Sequence, residues 1–287
     1  MRLTGLSASP NLLVKGNPTP TIGETFRALH VKGSPFILAN VWDAGSAKMM
    51  AAMGAQALAT SSAAYAFTLG RPDGGTVSRD ESLSHAADIC AATPLPVQDD
   101  FENGFGDDSD ICAETVRLAA EVGLAGICIE DISFPAGTPY DFDLAVERMK
   151  AAASAARPLP HDFVLTARAD GIMTGAYDTD EAIRRLQAFE AAGVDCLYAP
   201  LPPTLADVAR ICTAVTKPVN VLVAGKFAEH TMDDFAKAGA ARLSLGSSLA
   251  RVTHNAIFTA GQNMLQSGDF SGLKAAMSGD AVDKMLS

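Results

Sequence analysis

Five acids lie within ten residues in Asp99-Asp100-Phe101-Glu102-Asn103-Gly104-Phe105-Gly106-Asp107-Asp108, directly after an apolar run. Negative charge at that density calls for a counter-charge. Asp100 and Glu102 stand two apart, so in extended chain they face the same way. Glu130 ends the next apolar run, Gly126-Ile127-Cys128-Ile129-Glu130, and approaches the pair from the side. Three oxygen donors, with water completing an octahedron, suit Mg²⁺ better than zinc, which prefers nitrogen and sulfur. The same residues also read as a solvated acidic loop with helix caps.

Arg168 closes the run Phe163-Val164-Leu165-Thr166-Ala167 and is followed by Ala169-Asp170-Gly171. Its planar fork can hold a substrate carboxylate bidentately, or it can pair with Asp170 or Glu130 inside the protein. Ser61 and Ser62 end another apolar run, where hydroxyls and backbone N–H groups bind an oxyanion or simply form a turn. The five histidines show neither HExxH nor HxH spacing, and His85 and His254 sit in helical patterns as surface or packing residues. The glycines of Arg71-Pro72-Asp73-Gly74-Gly75 shape a loop without a GxGxxG or GxxxxGK[ST] nucleotide signature. Cys128 lies inside an apolar run and reads as core.

Positioning these groups requires a scaffold, and the chain announces one. Short β-type runs occur at 36–40, 57–61, 96–100, 126–130, 163–167, 196–200, 219–223 and 242–246. Ala-rich stretches of helical period alternate with them, several opened by a Ser or Asp cap and closed by Gly. Such alternation demands parallel strands with right-handed crossovers, and eight units over about 250 residues favour a closed (β/α)8 TIM barrel over an open sheet. The polar residues collect where the runs end: Asn40, Ser61, Ser62, Asp100, Glu102, Glu130, Asp131, Arg168, Asp170 and Asn220. In a barrel those positions converge on the C-terminal mouth, where active sites are built. Residues 1–19, rich in Pro, Gly, Ser and Asn, read as a flexible leader, and 20–287 as one barrel domain. Thr21-Ile22-Gly23-Glu24 has capping-box form, predicting a helix that closes the barrel bottom. Residues 248–284 read as two further helices.

Thirty-three acids against twenty-two bases give a net charge of −11, with no basic run to follow a phosphate backbone, which argues against nucleic acid as a partner. A small anion remains acceptable, because one metal or Arg reverses the local potential. The five cysteines are scattered, odd in number and without a CxxC pair, so they read as reduced thiols. No stretch approaches the roughly 20 apolar residues of a membrane span. A cytoplasmic enzyme is the expectation.

Over roughly residues 22 to 265 the chain resembles the isocitrate lyase/phosphoenolpyruvate mutase superfamily. Asp100-Phe101-Glu102-Asn103-Gly104-Phe105-Gly106 is similar to its DxDxG(Y/F)G metal motif, with Glu for the second Asp. Gly126 to Asp131 resembles its strand ending IED, and Thr166-Ala167-Arg168-Ala169-Asp170 its ARTD segment. Ser61 and Gly70-Arg71-Pro72-Asp73 resemble its substrate-binding serine and GLPD-like loop. The resemblance implies a Mg²⁺ barrel that makes or breaks a C–C or P–C bond beside a 2-oxo acid or its enolate. Asp100, Glu102 and Glu130 would bind Mg²⁺ directly or through water, with Asp73 a nearby acid and Arg168 on a carboxylate. Ser61, Ser62 and Ala63 would bind the enolate end, and Asn220 would line the substrate site. A homotetramer with a terminal helix exchanged between barrels is also implied. Where isocitrate and methylisocitrate lyases carry a KKCGH-type acid/base loop, this chain reads Ile132-Ser133-Phe134-Pro135-Ala136-Gly137-Thr138-Pro139-Tyr140. The Lys, Thr, Asn and Ser that phosphoenolpyruvate mutase places there are absent save Thr138. The implied activity is therefore C–C cleavage or decarboxylation of a small 2-oxo or 2-hydroxy di- or tricarboxylate. P–C chemistry and a catalytically silent pyruvate- or oxalate-binding barrel are the alternatives. Tyr65, Tyr140 and Tyr198 are the candidate proton donors.

Overall fold

The computed structural model describes residues 19–287, so the expected leader lies outside the described residues apart from Thr19. Each of the eight runs forms a strand: β1 Phe36–Asn40, β2 Ala57–Ala59, β3 Val97–Asp100, β4 Gly126–Glu130, β5 Val164–Arg168, β6 Cys196–Tyr198, β7 Val219–Leu222 and β8 Arg242–Ser244. They pair in parallel in chain order, and β1 closes on β8 with Phe36 opposite Arg242 and Leu38 opposite Ser244. The register follows from burial on both faces. Leu58, Ile127, Leu165 and Leu197 are fully buried in the cluster beneath the outer helices, while Leu38, Ala59, Cys128 and Tyr198 turn to the barrel interior. Gly126 stands where β4 and β5 come closest, since a Cβ there would lie 2.3 Å from the Val164 carbonyl oxygen.

The expected capping box is present. Thr21 Oγ1 accepts from Glu24 N and the Glu24 carboxylate accepts from Thr21 N, starting the helix Ile22–Ala28. That helix plugs the barrel bottom with Phe26, packed against Phe36, Leu38 and Val164. Above this plug the interior is polar. Arg242, almost wholly buried, donates to Asn220 Oδ1 (2.9 Å), Gln98 Oε1 (2.6 Å) and Thr166 Oγ1 (3.1 Å), and lies 3.1 Å from His30 Nε2. A guanidinium can be buried there because neutral acceptors surround it on every side.

Helices at 44–52, 79–92, 109–121, 142–156, 179–192, 205–214 and 232–237 follow the strands, with the side chains of N-caps Asp43, Ser78 and Asp178 accepting first-turn N–H groups. The helix after β8, Ser248–Gln262, departs from this ring, and every residue from 251 to 259 is exposed. Two helices were expected in the tail. The chain instead adds a π-turn at Asn263–Ser267 and a 3₁₀ turn at Ser271–Ala275 before the last helix, Gly279–Leu286, because Gly268 (φ 67°) breaks the run. A two-stranded hairpin, Ile132–Ser133 with Thr138–Pro139, rises from the end of β4 over the mouth.

Candidate active site

The mouth is organised around the end of β3. Asp100 is the last residue of that strand, and its N–H donates to Thr60 Oγ1 at 3.1 Å. Ser62 Oγ donates to Asp100 Oδ2 at 3.1 Å, which orients the carboxylate toward the barrel axis. The other oxygen, Oδ1, is buried without a hydrogen-bond partner. Such an atom is costly unless something outside the protein satisfies it.

The premise that Asp100 and Glu102 share one extended segment needs correction. β3 stops at Asp100, and Glu102 adopts φ 46° in a left-handed turn. The turn, not strand alternation, brings the Glu102 carboxylate inward, where Gly75 N donates to Oε1 at 2.9 Å. Burial raises the Glu102 pKa to about 7, with Asp100 and Asp73 adding to the rise and the Gly75 hydrogen bond opposing it. Glu130, buried at the end of β4, is tied to the same turn through its N–H to Glu102 O (2.8 Å).

Arg168 reaches into this group from β5. Its Nη1 lies 2.7 Å from Glu130 Oε1 and 3.6 Å from Asp100 Oδ1, and its Nε donates to Asp170 Oδ1 at 2.7 Å. Of the two readings open to Arg168, the structure displays the internal ion pairs. Burial opposes the Arg168 charge, but Asp170, Glu130 and Asp100 more than offset it and its pKa is raised. Burial pushes the Glu130 carboxyl well above its ordinary range, against the pull of Arg168, and Asp170 and Asp100 push it further. One cation thus serves a cluster of carboxyls that destabilise one another.

Asp131 does its work behind the site. Its Oδ1 accepts from Asp170 N (2.8 Å), while Oδ2 accepts from Tyr177 OH (2.8 Å) and Arg185 Nη1 (3.0 Å), so Asp170 is held for Arg168. Asp131 was marked by its place at a strand end, but Arg185 carries no such signature. Arg185 shows itself only as a charge on the buried stripe of its helix, with Ala182, Leu186 and Phe189.

The other residues singled out in the sequence divide. Ser61 is the N-cap of the helix Ser62–Thr68, accepting from Ala64 N at 3.3 Å, and Ala63 is buried in its first turn. Asp73 lies on an exposed loop, its carboxyl pKa raised by partial desolvation and then by Asp100. Asn220 is engaged beneath the mouth, donating to Ser244 Oγ (2.8 Å) and accepting from Arg242. Tyr65 stacks on His85 at 3.8 Å, and Tyr140 donates to Asp107 Oδ1 at 2.6 Å. Tyr198 instead lines the axial cavity of about 40 Å³, with Asn40, Asp100, Arg168, Asn220 and Arg242. A wider cavity of about 660 Å³ opens on the far side of Glu102, bounded by Ser78, Phe105 and Phe134.

These donors fit a hard divalent cation in chemistry more than in close packing. Among the described residues no three His, Cys, Asp or Glu side chains converge on one chelating point. Asp100 Oδ1 accepts no hydrogen bond and has only Arg168 Nη1, at 3.6 Å, near it, so it is the oxygen among these carboxyls with capacity left for a ligand. Mg²⁺ retains several waters at such sites, so a single direct carboxylate is compatible with it.

Comparison with known proteins gives one consistent answer. The family model described as phosphoenolpyruvate phosphomutase matches residues 26–265. The 2-methylisocitrate lyase of Escherichia coli strain K12 is 30% identical over 226 residues, covering 75% of this chain and 75% of the relative. An oxaloacetate decarboxylase of Paraburkholderia xenovorans is 32% identical over 197 residues, covering 66% of this chain and 63% of the relative. A crystal structure from Burkholderia cenocepacia J2315, given the provisional description lyase/mutase, is 44% identical with a TM-score of 0.87, covering 91% of this chain and 94% of that one.

Proposed function

Since the chain belongs to the phosphoenolpyruvate mutase family of the isocitrate lyase superfamily, we propose that it is a Mg²⁺-dependent lyase for a small 2-oxo or 2-hydroxy di- or tricarboxylate. The bond broken is C–C, either by retro-aldol cleavage or by decarboxylation, and the electron pair is left as an enolate. The observation that carries this reading is Asp100 Oδ1, buried without a hydrogen bond among carboxyls for which Arg168 is the one cationic partner among the described residues.

When bound, Mg²⁺ supplies Lewis-acid polarisation of the substrate's keto or alkoxide oxygen. Asp100 would hold it directly, with Glu102 and Glu130 acting through water. Arg168 has Nε and Nη1 occupied by Asp170 and Glu130, which leaves Nη2 to meet a substrate carboxylate. Ser62 keeps Asp100 oriented, and its backbone environment at the start of the helix favours an oxyanion nearby. Phe134 of the hairpin packs against the Gly74–Gly75 turn and helps exclude water from the mouth.

The hairpin offers no Lys, Cys or His to act as acid or base. Decarboxylation makes the least demand for such a group, because solvent can protonate the enolate. P–C chemistry would need donors for a phosphonate, and Ser133 Oγ is already spent on Thr138 O. An exchanged-helix homotetramer accords with the exposed helix Ser248–Gln262 and with Ile37, which is half exposed on the outer face of β1 where an eighth helix normally lies. Five free cysteines, four of them buried, accord with the cytoplasm.

The test is steady-state pyruvate formation from oxaloacetate, methylisocitrate and phosphonopyruvate, with and without Mg²⁺ and with Asp100→Ala as control. Metal-dependent turnover that the variant lacks supports the reading and selects the substrate class. Oxalate binding with no turnover of any oxo acid would replace it with a silent binding barrel.

A further inference from the structure

The loop after β3 contains two non-glycine residues in the left-handed region, Glu102 at φ 46° and Phe105 at φ 65°, with Gly104 at 81° between them. An L side chain there crowds its own backbone, so such a turn persists only where its surroundings over-determine it. The surroundings here engage six of its carbonyls. Phe101 O accepts from Gly104 N (2.7 Å), Glu102 O from Glu130 N (2.8 Å) and Gly104 O from Thr115 Oγ1 (2.8 Å). Three more, Asn103 O, Gly106 O and Asp107 O, all accept from one side chain, Arg148.

Arg148 comes from the helix Phe142–Ala156, on the buried stripe it shares with Ala145, Met149 and Ala152. It is fully buried and forms no salt bridge among the described residues. Its charge is met by carbonyl dipoles and by the face of Tyr140, whose centroid lies 4.3 Å from Cζ. The Tyr140 hydroxyl in turn accepts from Asn103 Nδ2 (2.8 Å) and donates to Asp107 Oδ1 (2.6 Å), bridging the two ends of the loop. A guanidinium presents several N–H groups in a rigid fork and can satisfy three carbonyls at once, whereas an ammonium offers a single point.

Resting on the metal reading above, we infer that Arg148 is the positioning residue of this site: clamped over the loop with Tyr140, it imposes the left-handed turn that brings Glu102 to the cation. It touches neither substrate nor metal, and acts through the backbone it holds. Outer groups of this kind set metal affinity by roughly 10- to 100-fold.

The experiment compares wild type, Arg148→Lys and Tyr140→Phe with Arg27→Ala, a control at the barrel bottom where Arg27 pairs with Asp162 and Asp195. Two quantities are read: amide hydrogen exchange across residues 101–108 without metal, and Mn²⁺ affinity by electron paramagnetic resonance. Arg148→Lys is expected to speed exchange at Gly104 and Phe105 and to weaken Mn²⁺ binding by about tenfold. Tyr140→Phe should move both in the same direction, and Arg27→Ala neither. Wild-type exchange or wild-type Mn²⁺ affinity in Arg148→Lys overturns the inference. Should that variant not fold, the same result in Tyr140→Phe overturns it. If wild type takes up no Mn²⁺, the metal reading fails on its own and the exchange comparison still decides whether Arg148 holds the loop.

Discussion

Lowering the pH from 7 to 5 should weaken this barrel through one imidazole at its floor. His30 Nδ1 donates to Phe26 O at 2.9 Å, which makes Nε2 the acceptor for Arg242 Nη1 at 3.1 Å. The rings of Phe26 and Phe36 stand edge-on around it at 4.8 and 5.2 Å. A proton on Nε2 would remove that acceptor and set two cations in contact. Burial, then the Arg242 charge, depresses the His30 pKa from 6.5 to about 3. Because the folded value lies below the unfolded one, the unfolded chain binds the extra proton between them. The stability due to neutral His30 is present above about pH 6.5 and is lost as pH falls through that window toward 3. Linkage puts the loss at about 2 kcal/mol between pH 7 and pH 5. Urea unfolding of wild type and His30→Gln, which keeps an acceptor for Arg242 without titrating, isolates this contribution from the other acids. The stability advantage of wild type over the variant should shrink by about 2 kcal/mol on going from pH 7 to pH 5. A difference that stays flat over that range would refute the assignment of His30 as an obligatorily neutral acceptor.

Arg168→Met should abolish turnover and also destabilise the fold by about 3–5 kcal/mol, because it strands buried Glu130 and Asp170; denaturant titration with stability near wild type would count against the ion-pair geometry. Chelation by EDTA should remove activity and added Mg²⁺ restore it, whereas full activity in the chelated enzyme would defeat the metal reading. Gly126→Ala forces a Cβ to within 2.3 Å of Val164 O, so soluble protein with a wild-type unfolding midpoint would contradict the β4–β5 packing. Phe258→Asp, on the exposed helix after β8, should reduce the mass measured by light scattering; an unchanged mass would reject helix exchange through that face.

Much of the architecture could be read along the chain because it depends on local period. Apolar runs bounded by turn residues located all eight strands within a residue or two, and the Thr21 capping box placed the first helix. Asp100, Glu130 and Arg168 were legible as candidate site residues for the same reason: each ends a strand, and strand ends meet at one mouth. Glu102 was proposed on the wrong geometry, since strand alternation was invoked where a left-handed turn operates. Arg148, the Arg185 partner of Asp131, and Thr60 escaped notice as site residues. Their function depends on partners 41 to 54 residues away in the first two cases, and on a neighbouring strand in the third.

The barrel, its mouth and the oxygen donors gathered there could be read along the chain, because hydrophobic period and residue type act over a few neighbouring positions. That Arg168 is held by Glu130 and Asp170, that Asp100 Oδ1 accepts no hydrogen bond, and that Glu102 turns inward beneath Gly75 emerge from the folded chain. Those outcomes are settled by distances between strands and loops remote in the chain, where burial strengthens every charge pairing and exposes every unpaired atom to its full cost.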